Sequence, residues 1–472
     1  MLRRISRTGI QRPIERIANI THDTGIRSYA ISTLHALGVG RIQFGTLIQG
    51  NLPPMTCPET ALEDQIMKTL LASLLTLESE QKILYTLSVI KQSFTCEYEQ
   101  MINAFMNGNG VQILEEVILR FSKNVEVVQS VLGILHLLVQ KMQIVIQLDQ
   151  NKLIGTCIQV LLRYEKEYKL VKLSLRIIQS LCLYRIDILS ISFLESSAST
   201  LVHYLDLLKS LLTQYQNTSS ICESIIHILV LLSQIGSQSR LSIIRSNILE
   251  NIDAVALFHV DRKSLCSNIL TLFLELSDSA VGADTLVSVH CFEISVKIIQ
   301  RLIRNDRCEV ENEMLVKAFQ VIQSVVERGT NVMNAFLNTS GYAVIEEVWK
   351  ANPPQLDIQQ ALLSALLSLL QHEEGNDALT NLSLPSLLLT EPLVNRLLVG
   401  SLWSCIRFFV QRHSKLITTT NLQQILQGAA SYGKAYPQEE VFVFHLSWTL
   451  FTISSLRKHS INHSDFSHFH CV

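Results

Sequence analysis

Residues 103–140 read NAFMNGNGVQILEEVILRFSKNVEVVQSVLGILHLLVQ, and residues 334–371 read NAFLNTSGYAVIEEVWKANPPQLDIQQALLSALLSLLQ. The two align without a gap at an offset of 231. Asn103-Ala104-Phe105 returns as Asn334-Ala335-Phe336, Asn107 as Asn338, Gly110 as Gly341, and Glu115-Glu116-Val117 as Glu346-Glu347-Val348. Farther on, Gln129, Leu132, Leu135, Leu138 and Gln140 meet Gln360, Leu363, Leu366, Leu369 and Gln371. One local plan has been used twice, which marks a repeat architecture.

The plan is a helix ending near Phe105, a turn at Asn107-Gly108-Asn109-Gly110, a helix from Val111 to Phe121, a polar break at Ser122-Lys123-Asn124 and a long helix from Val125. Glycine and asparagine supply the left-handed backbone that closes a helix, which predicts the turn. In the long helix Val128, Val131, Leu132, Leu135, Leu138 and Val139 recur at helical spacing and form a wide apolar stripe. A single unit cannot bury that stripe; stacked neighbours can. Similar helices begin near Ile83, Val127, Leu170, Ile221, Leu265, Leu315, Ile358, Leu393 and Val441. Their intervals of about 40–50 residues define about nine units. The wider intervals, around Ile191 to Thr200 and Asp278 to Thr285, are expected to hold loop insertions or longer helix connections.

The segment from Asn107 through Leu138 resembles an armadillo repeat, with HEAT repeats a close alternative. The resemblance implies an all-α, right-handed superhelical solenoid whose third helices line a groove for extended peptides or partner domains. In the importin-α branch those helices carry a tryptophan followed four residues later by asparagine. Here Trp349, Trp403 and Trp448 are followed at that spacing by Pro353, Arg407 and Thr452, so nuclear-signal binding of that kind is disfavoured.

Composition agrees with a long helical array. At 472 residues the chain exceeds the size of one globular core. Hydrophobic residues make up 48% and charged residues 17%, which leaves ample apolar surface to bury. The 39 basic and 41 acidic side chains nearly cancel, so no global field favours nucleic acid. The ten cysteines include no pair at zinc-knuckle or redox spacing, which points to a reducing, cytoplasmic compartment. No stretch is long and apolar enough to span a bilayer; the best, Val127 to Leu148, is broken by Gln129, His136, Gln140, Lys141 and Gln143.

Four segments follow. Residues 1–25 form a basic arm or first helix with Arg3, Arg4, Arg7, Arg12 and Arg16, whose alternative reading is an organelle-targeting helix. Residues 26–58 hold a helix and a loop containing Gly38, Gly40, Pro53 and Pro54. The repeat array covers 59–456, and 457–472 is a polar tail with His459, His463, His468, His470 and Cys471. That tail fits no structural zinc module, and no metal or cofactor is expected. A phosphate-binding loop and a nucleophile elbow are both missing from the sequence, so no catalytic residue is assigned. Glu115-Glu116 and Glu346-Glu347 are expected on solvated helix faces, since adjacent helical residues point about 100° apart. Ser6, after Arg3-Arg4-Ile5, fits a basophilic kinase site and is the one candidate modification site.

The expected function is a protein-interaction scaffold or adaptor without enzymatic activity, with protein partners and neither nucleic acid nor a small-molecule substrate. Polar positions on the long helices, such as Gln129, Lys172, Glu223 and Gln360, are candidate contacts. The alternative is an obligate regulatory or targeting subunit of a kinase, transport or cytoskeletal complex, ahead of an enzyme on a helical array.

Overall fold

The structure, a computed structural model, describes residues 59–95, 99–141, 150–184, 198–303, 309–330, 332–351, 355–372, 388–389, 396–412, 417 and 419–460. Among them are 21 α-helices, one 3-10 turn and no strand. The chain divides into two units, Met1–Tyr184 and Arg185–Val472.

In the first unit the quoted stretch folds as α3 (Glu99–Asn107), α4 (Gly110–Arg120) and α5 (Val125–Val139). The turn before α4 places Asn109 at φ 56°, in the left-handed region. Gly110 is required for a different reason: a Cβ there would lie 2.4 Å from the ring of Phe105. Phe105 is fully buried and meets Phe94 edge to face at 5.1 Å. Asn124 caps α5, its side chain accepting from the Glu126 and Val127 amides at 3.0 and 3.1 Å. Val128, Val131, Leu132, Leu135, Leu138 and Val139 are all buried, as their spacing predicts. α5 packs between α2 (Glu80–Thr95) and α7 (Tyr168–Tyr184). α1 (Glu59–Thr76) lies on α3 and α4, and α6 (Gln150–Arg163) lies on α7.

The second unit repeats the plan. Its long helices are α9 (Ser219–Ile235), α12 (Lys263–Leu276), α15 (Glu309–Arg328), α18 (Leu356–Gln371), α19 (Val399–Arg412) and α21 (Glu440–Ser460), each packed on the next. Beside them run the second helices α8 (Ala198–Gln214), α11 (Leu249–Phe258), α14 (Cys291–Ile303) and α17 (Gly341–Ala351). Short first helices complete the triplets: α10 (Ser237–Arg245), α13 (Ala280–Ser288) and α16 (Val332–Leu337). α20 (Thr419–Ala435) precedes α21. Three helices per unit is the armadillo arrangement, as against two in HEAT repeats.

The turn before the second helix recurs with Asn247, His290 and Ser340 at φ 53°, 57° and 59°. At the second copy of the quoted stretch Gly341 again faces a phenylalanine, Phe336, whose ring would lie 2.3 Å from a Cβ. The duplicated Phe…Gly pair is therefore one packing device used twice.

Cross-repeat bonds join the turns after successive second helices. Arg120 donates to the carbonyls of Leu74, Leu75 and Leu77 at 2.5, 2.6 and 3.0 Å. Tyr164 donates to the Ser122 carbonyl, and the His259 ring lies 2.8 Å from the Gln216 carbonyl. These side chains satisfy carbonyls that a helix terminus leaves open. Within the long helices Cys222 and Cys266 play a matching part, each thiol donating to the carbonyl seven residues earlier, Tyr215 at 3.3 Å and His259 at 3.7 Å.

Several expectations are corrected. Asp278 to Thr285 is not an insertion: Ser279 caps α13, accepting from the Gly282 amide at 3.1 Å, and the wide interval arises because α15 starts at Glu309, ahead of Leu315. Of the stretch from Ile191 to Thr200, the described part belongs to α8. The eighth long helix is described as Val399–Arg412, after a 3-10 turn Arg396–Leu398; Leu393 lies outside the described residues. α21 continues to Ser460, so residues 457–460 are helical. Glu115 is buried, not solvated, and pairs with Lys152 of α6 at 2.9 Å. Glu311 of α15 is buried in the same way against Lys263 of α12 at 3.0 Å. In both pairs the cation stays half in water while the acid is enclosed, which spares the lysine a desolvation cost.

Candidate partner-binding faces

Each long helix buries its stripe against neighbouring helices and leaves a second face uncovered, and the polar positions singled out from sequence fall there. Gln129 on α5 and Lys172 on α7 are half-buried in the first unit; in the second, Glu223 on α9 is half-buried and Gln360 on α18 exposed. Lys172 is held over the ring of Tyr168 at 5.5 Å and donates to its hydroxyl at 3.2 Å. Glu223 accepts from Ser264 of α12.

In the first unit this face is basic. α7 contains Lys169, Lys172 and Arg176 and no acid, while α2 and α5 place their only acids, Glu80 and Glu126, in the first turn. Lys91 of α2 extends across α5, its Nζ 3.3 Å from where a Cβ on Gly133 would sit. Glycine at 133 leaves room for that lysine. His136 lies one turn beyond Gly133; burial lowers its pKa and the charge of Arg176 lowers it further. The imidazole is thus held neutral amid cations at neutral pH. Beyond those first turns, other acids of this unit include Glu115 and Glu116 on α4 and Glu165 and Glu167 before α7.

In the second unit the long helices are tied by a polar ladder that sequence reading missed. Lys317 of α15 donates to Ser267 of α12 at 3.3 Å, Ser277 donates to Ser324 at 2.8 Å, and Ser368 of α18 donates to Glu327 at 3.0 Å. The signal was present in the serines that interrupt these apolar helices, but partners 41 to 50 residues away cannot be read from helical spacing. At α19 and α21 the character changes. Val441, Phe444, Trp448 and Phe451 form an exposed apolar stripe beside Phe408 and Arg407. Phe442, by contrast, is buried against Trp403 at 5.5 Å.

Six cysteines, Cys157, Cys182, Cys222, Cys266, Cys291 and Cys405, are free and buried. Burial pushes their thiols up, Cys222 to about 11 and Cys266 to about 12. Among the described residues no group of three His, Cys, Asp or Glu side chains is placed to hold a metal ion. No described helix is long and apolar enough to cross a membrane. Ser6, the arginine-rich segment 1–25, the glycine loop within 26–58, and His463, His468, His470 and Cys471 lie outside the described residues; His459 falls in the last turn of α21.

No protein-family model and no curated protein matches the chain. Solved structures do. An engineered protein is similar over 93% of this chain and 98% of its own, with a TM-score of 0.59 and 12% identity. SYS-1 is similar over 96% of this chain and 86% of its own, also with a TM-score of 0.59 and 12% identity. The likeness is one of fold, and the chain has the armadillo-type solenoid fold.

Proposed function

We propose that this chain is a protein-interaction scaffold that holds a partner along the uncovered faces of its long helices, in the cytoplasm, and does no chemistry on it. One observation carries the reading: across α2, α5 and α7 the uncovered face presents Lys91, Lys172 and Arg176 around a neutral His136 and a glycine. Positive charge gathered on a face, with the acids of α2 and α5 confined to their first turns, favours an extended acidic segment. The rows of half-buried polar residues provide directional contacts around it. The free buried thiols support a reducing compartment.

The test is site-specific photocrosslinking in native extract, with the crosslinker at Gln129 on the proposed face or at Glu116 on α4, whose side chain is exposed elsewhere. Partners should be trapped from Gln129 and lost when Lys172→Glu and Arg176→Glu are combined. Equal trapping from Glu116, or trapping indifferent to the charge reversal, would sink the reading.

A further inference from the structure

The stripe on α21 differs from every other long-helix face. Val441, Phe444, Trp448 and Phe451 follow one another at spacings of three, four and three residues, and so line a single side of the helix. Phe444 is 56% exposed, Trp448 42% and Phe451 63%. The corresponding side of α18 carries Gln360 and Ser364. Three large aromatic side chains in contact with water at one place mark an interaction surface.

The charge at its edge says what would cover it. Arg407 of α19 lies over the ring of Phe408 at 4.6 Å and that of Phe444 at 5.7 Å. Its Nε is shut off from water with no acceptor, and no described carboxylate pairs with it. An Nε–H enclosed without an acceptor carries a desolvation cost that an incoming oxygen anion, reaching it past the half-exposed guanidinium, would remove. α19 carries no acid, and α21 has only Glu440 in its first turn. A second copy of this face would bring Arg407 no carboxylate beyond Glu440 of the first turn of α21, which disfavours self-pairing. A lipid surface would call for a polybasic cluster around the aromatics, and among the described side chains only the Arg407 guanidinium lies over a ring of the stripe.

We propose that the α21 stripe and Arg407 dock an amphipathic helix of a partner protein, with apolar residues at i, i+3, i+4 and i+7 and a carboxylate beside them. Four positions over eleven residues match three turns of such a helix. The aromatic rings supply the buried area and Arg407 sets orientation. This rests on the scaffold reading but uses elements separate from the basic face of α2, α5 and α7, so either can fail alone.

The test uses the full chain and a fluorescent synthetic peptide of about 15 residues with leucines at the stated spacing, flanked by glutamates, alongside a version with lysines in their place. By anisotropy the glutamate peptide should bind about tenfold more tightly than the lysine peptide. Trp448→Ser with Phe451→Ser should weaken it by about tenfold or more, while Arg407→Gln should abolish the preference between the two peptides. Because Trp448 and Phe451 are exposed, an unchanged circular dichroism spectrum shows that the variant folds. Lys172→Glu with Arg176→Glu should leave this binding intact. Equal affinity for the two peptides, or binding indifferent to the Trp448 and Phe451 changes, overturns the proposal. So does a dimer in sedimentation velocity that depends on Trp448, which would assign the stripe to a second copy. Trp448-dependent co-sedimentation with phosphatidylcholine–phosphatidylserine vesicles, without peptide binding, would assign it to a membrane and overturns it equally.

Discussion

Replacing Gly110 by alanine should destabilise the first unit, although intrinsic helix propensity argues the opposite sign. Propensity alone favours alanine over glycine in a helix by about 0.5–1 kcal/mol. Sterics oppose it: the new Cβ would stand 2.4–2.5 Å from three carbons of the Phe105 ring, against at least 3.4 Å for ordinary contact. The ring must retreat by about 1 Å, and it is fully buried against Phe94, so it has nowhere to go. Overpacking of this kind costs about 1–3 kcal/mol, so the net expectation is a loss centred on about 1 kcal/mol. Gly155, in α6, is the control: nothing lies within 4 Å of its would-be Cβ, and Gly155→Ala should stabilise by about 0.5–1 kcal/mol. The assay is urea unfolding followed at 222 nm, with hydrogen exchange of the α3–α5 amides to localise the loss, because repeat arrays open unit by unit. In a Phe105→Leu background the cost of Gly110→Ala should largely vanish, giving a coupling energy in a double-mutant cycle. A neutral Gly110→Ala, or the same cost in the Phe105→Leu background, would refute the reasoning.

Three further outcomes are expected. Arg120→Met should free the carbonyls of Leu74, Leu75 and Leu77, lowering stability by about 1 kcal/mol and raising exchange at the end of α1; unchanged exchange there would contradict the bond network. The six buried cysteines should resist N-ethylmaleimide at pH 7.5 in the folded chain and react after denaturation; native labelling of Cys222 or Cys266, read by peptide mass spectrometry, would count against their burial. His136 and His445 have folded pKa values below the ordinary 6.5, each chiefly through burial with a nearby arginine second. The unfolded chain then binds more protons, so their contribution to stability is complete above pH 6.5 and is lost as pH falls through that value. The melting temperature should drop between pH 7.5 and 5.5, and less so in a His136→Gln, His445→Gln variant; identical slopes would be the contrary result.

Much of the fold was legible because helical spacing is a local property. The stripe from Val128 to Val139 lies within one helix and the break at Ser122-Lys123-Asn124 within one turn, and the structure shows both where the spacing places them; the duplication at an offset of 231 copies that local plan. Helix starts were less legible. Leu315 marks the apolar part of α15, but the helix begins at Glu309 with acids in its first turn, which carry no apolar signal. The candidate contacts were legible only as polar positions on long helices. That Lys91 crosses Gly133, that Arg176 acts on His136, and that Arg407 sits between two phenylalanine rings depend on helices brought together from different repeats.

The sequence by itself thus determined an all-α chain of repeated helices, because periodicity and glycine- or asparagine-bearing turns act over a few residues. Only the tertiary structure decided why Gly110 and Gly341 must be glycine, which acids are enclosed, and which side of α21 is left open. Those depend on distances between residues that spacing along one helix does not encode: Gly110 against a ring five positions back across a turn, and Glu115 against Lys152 in the next repeat.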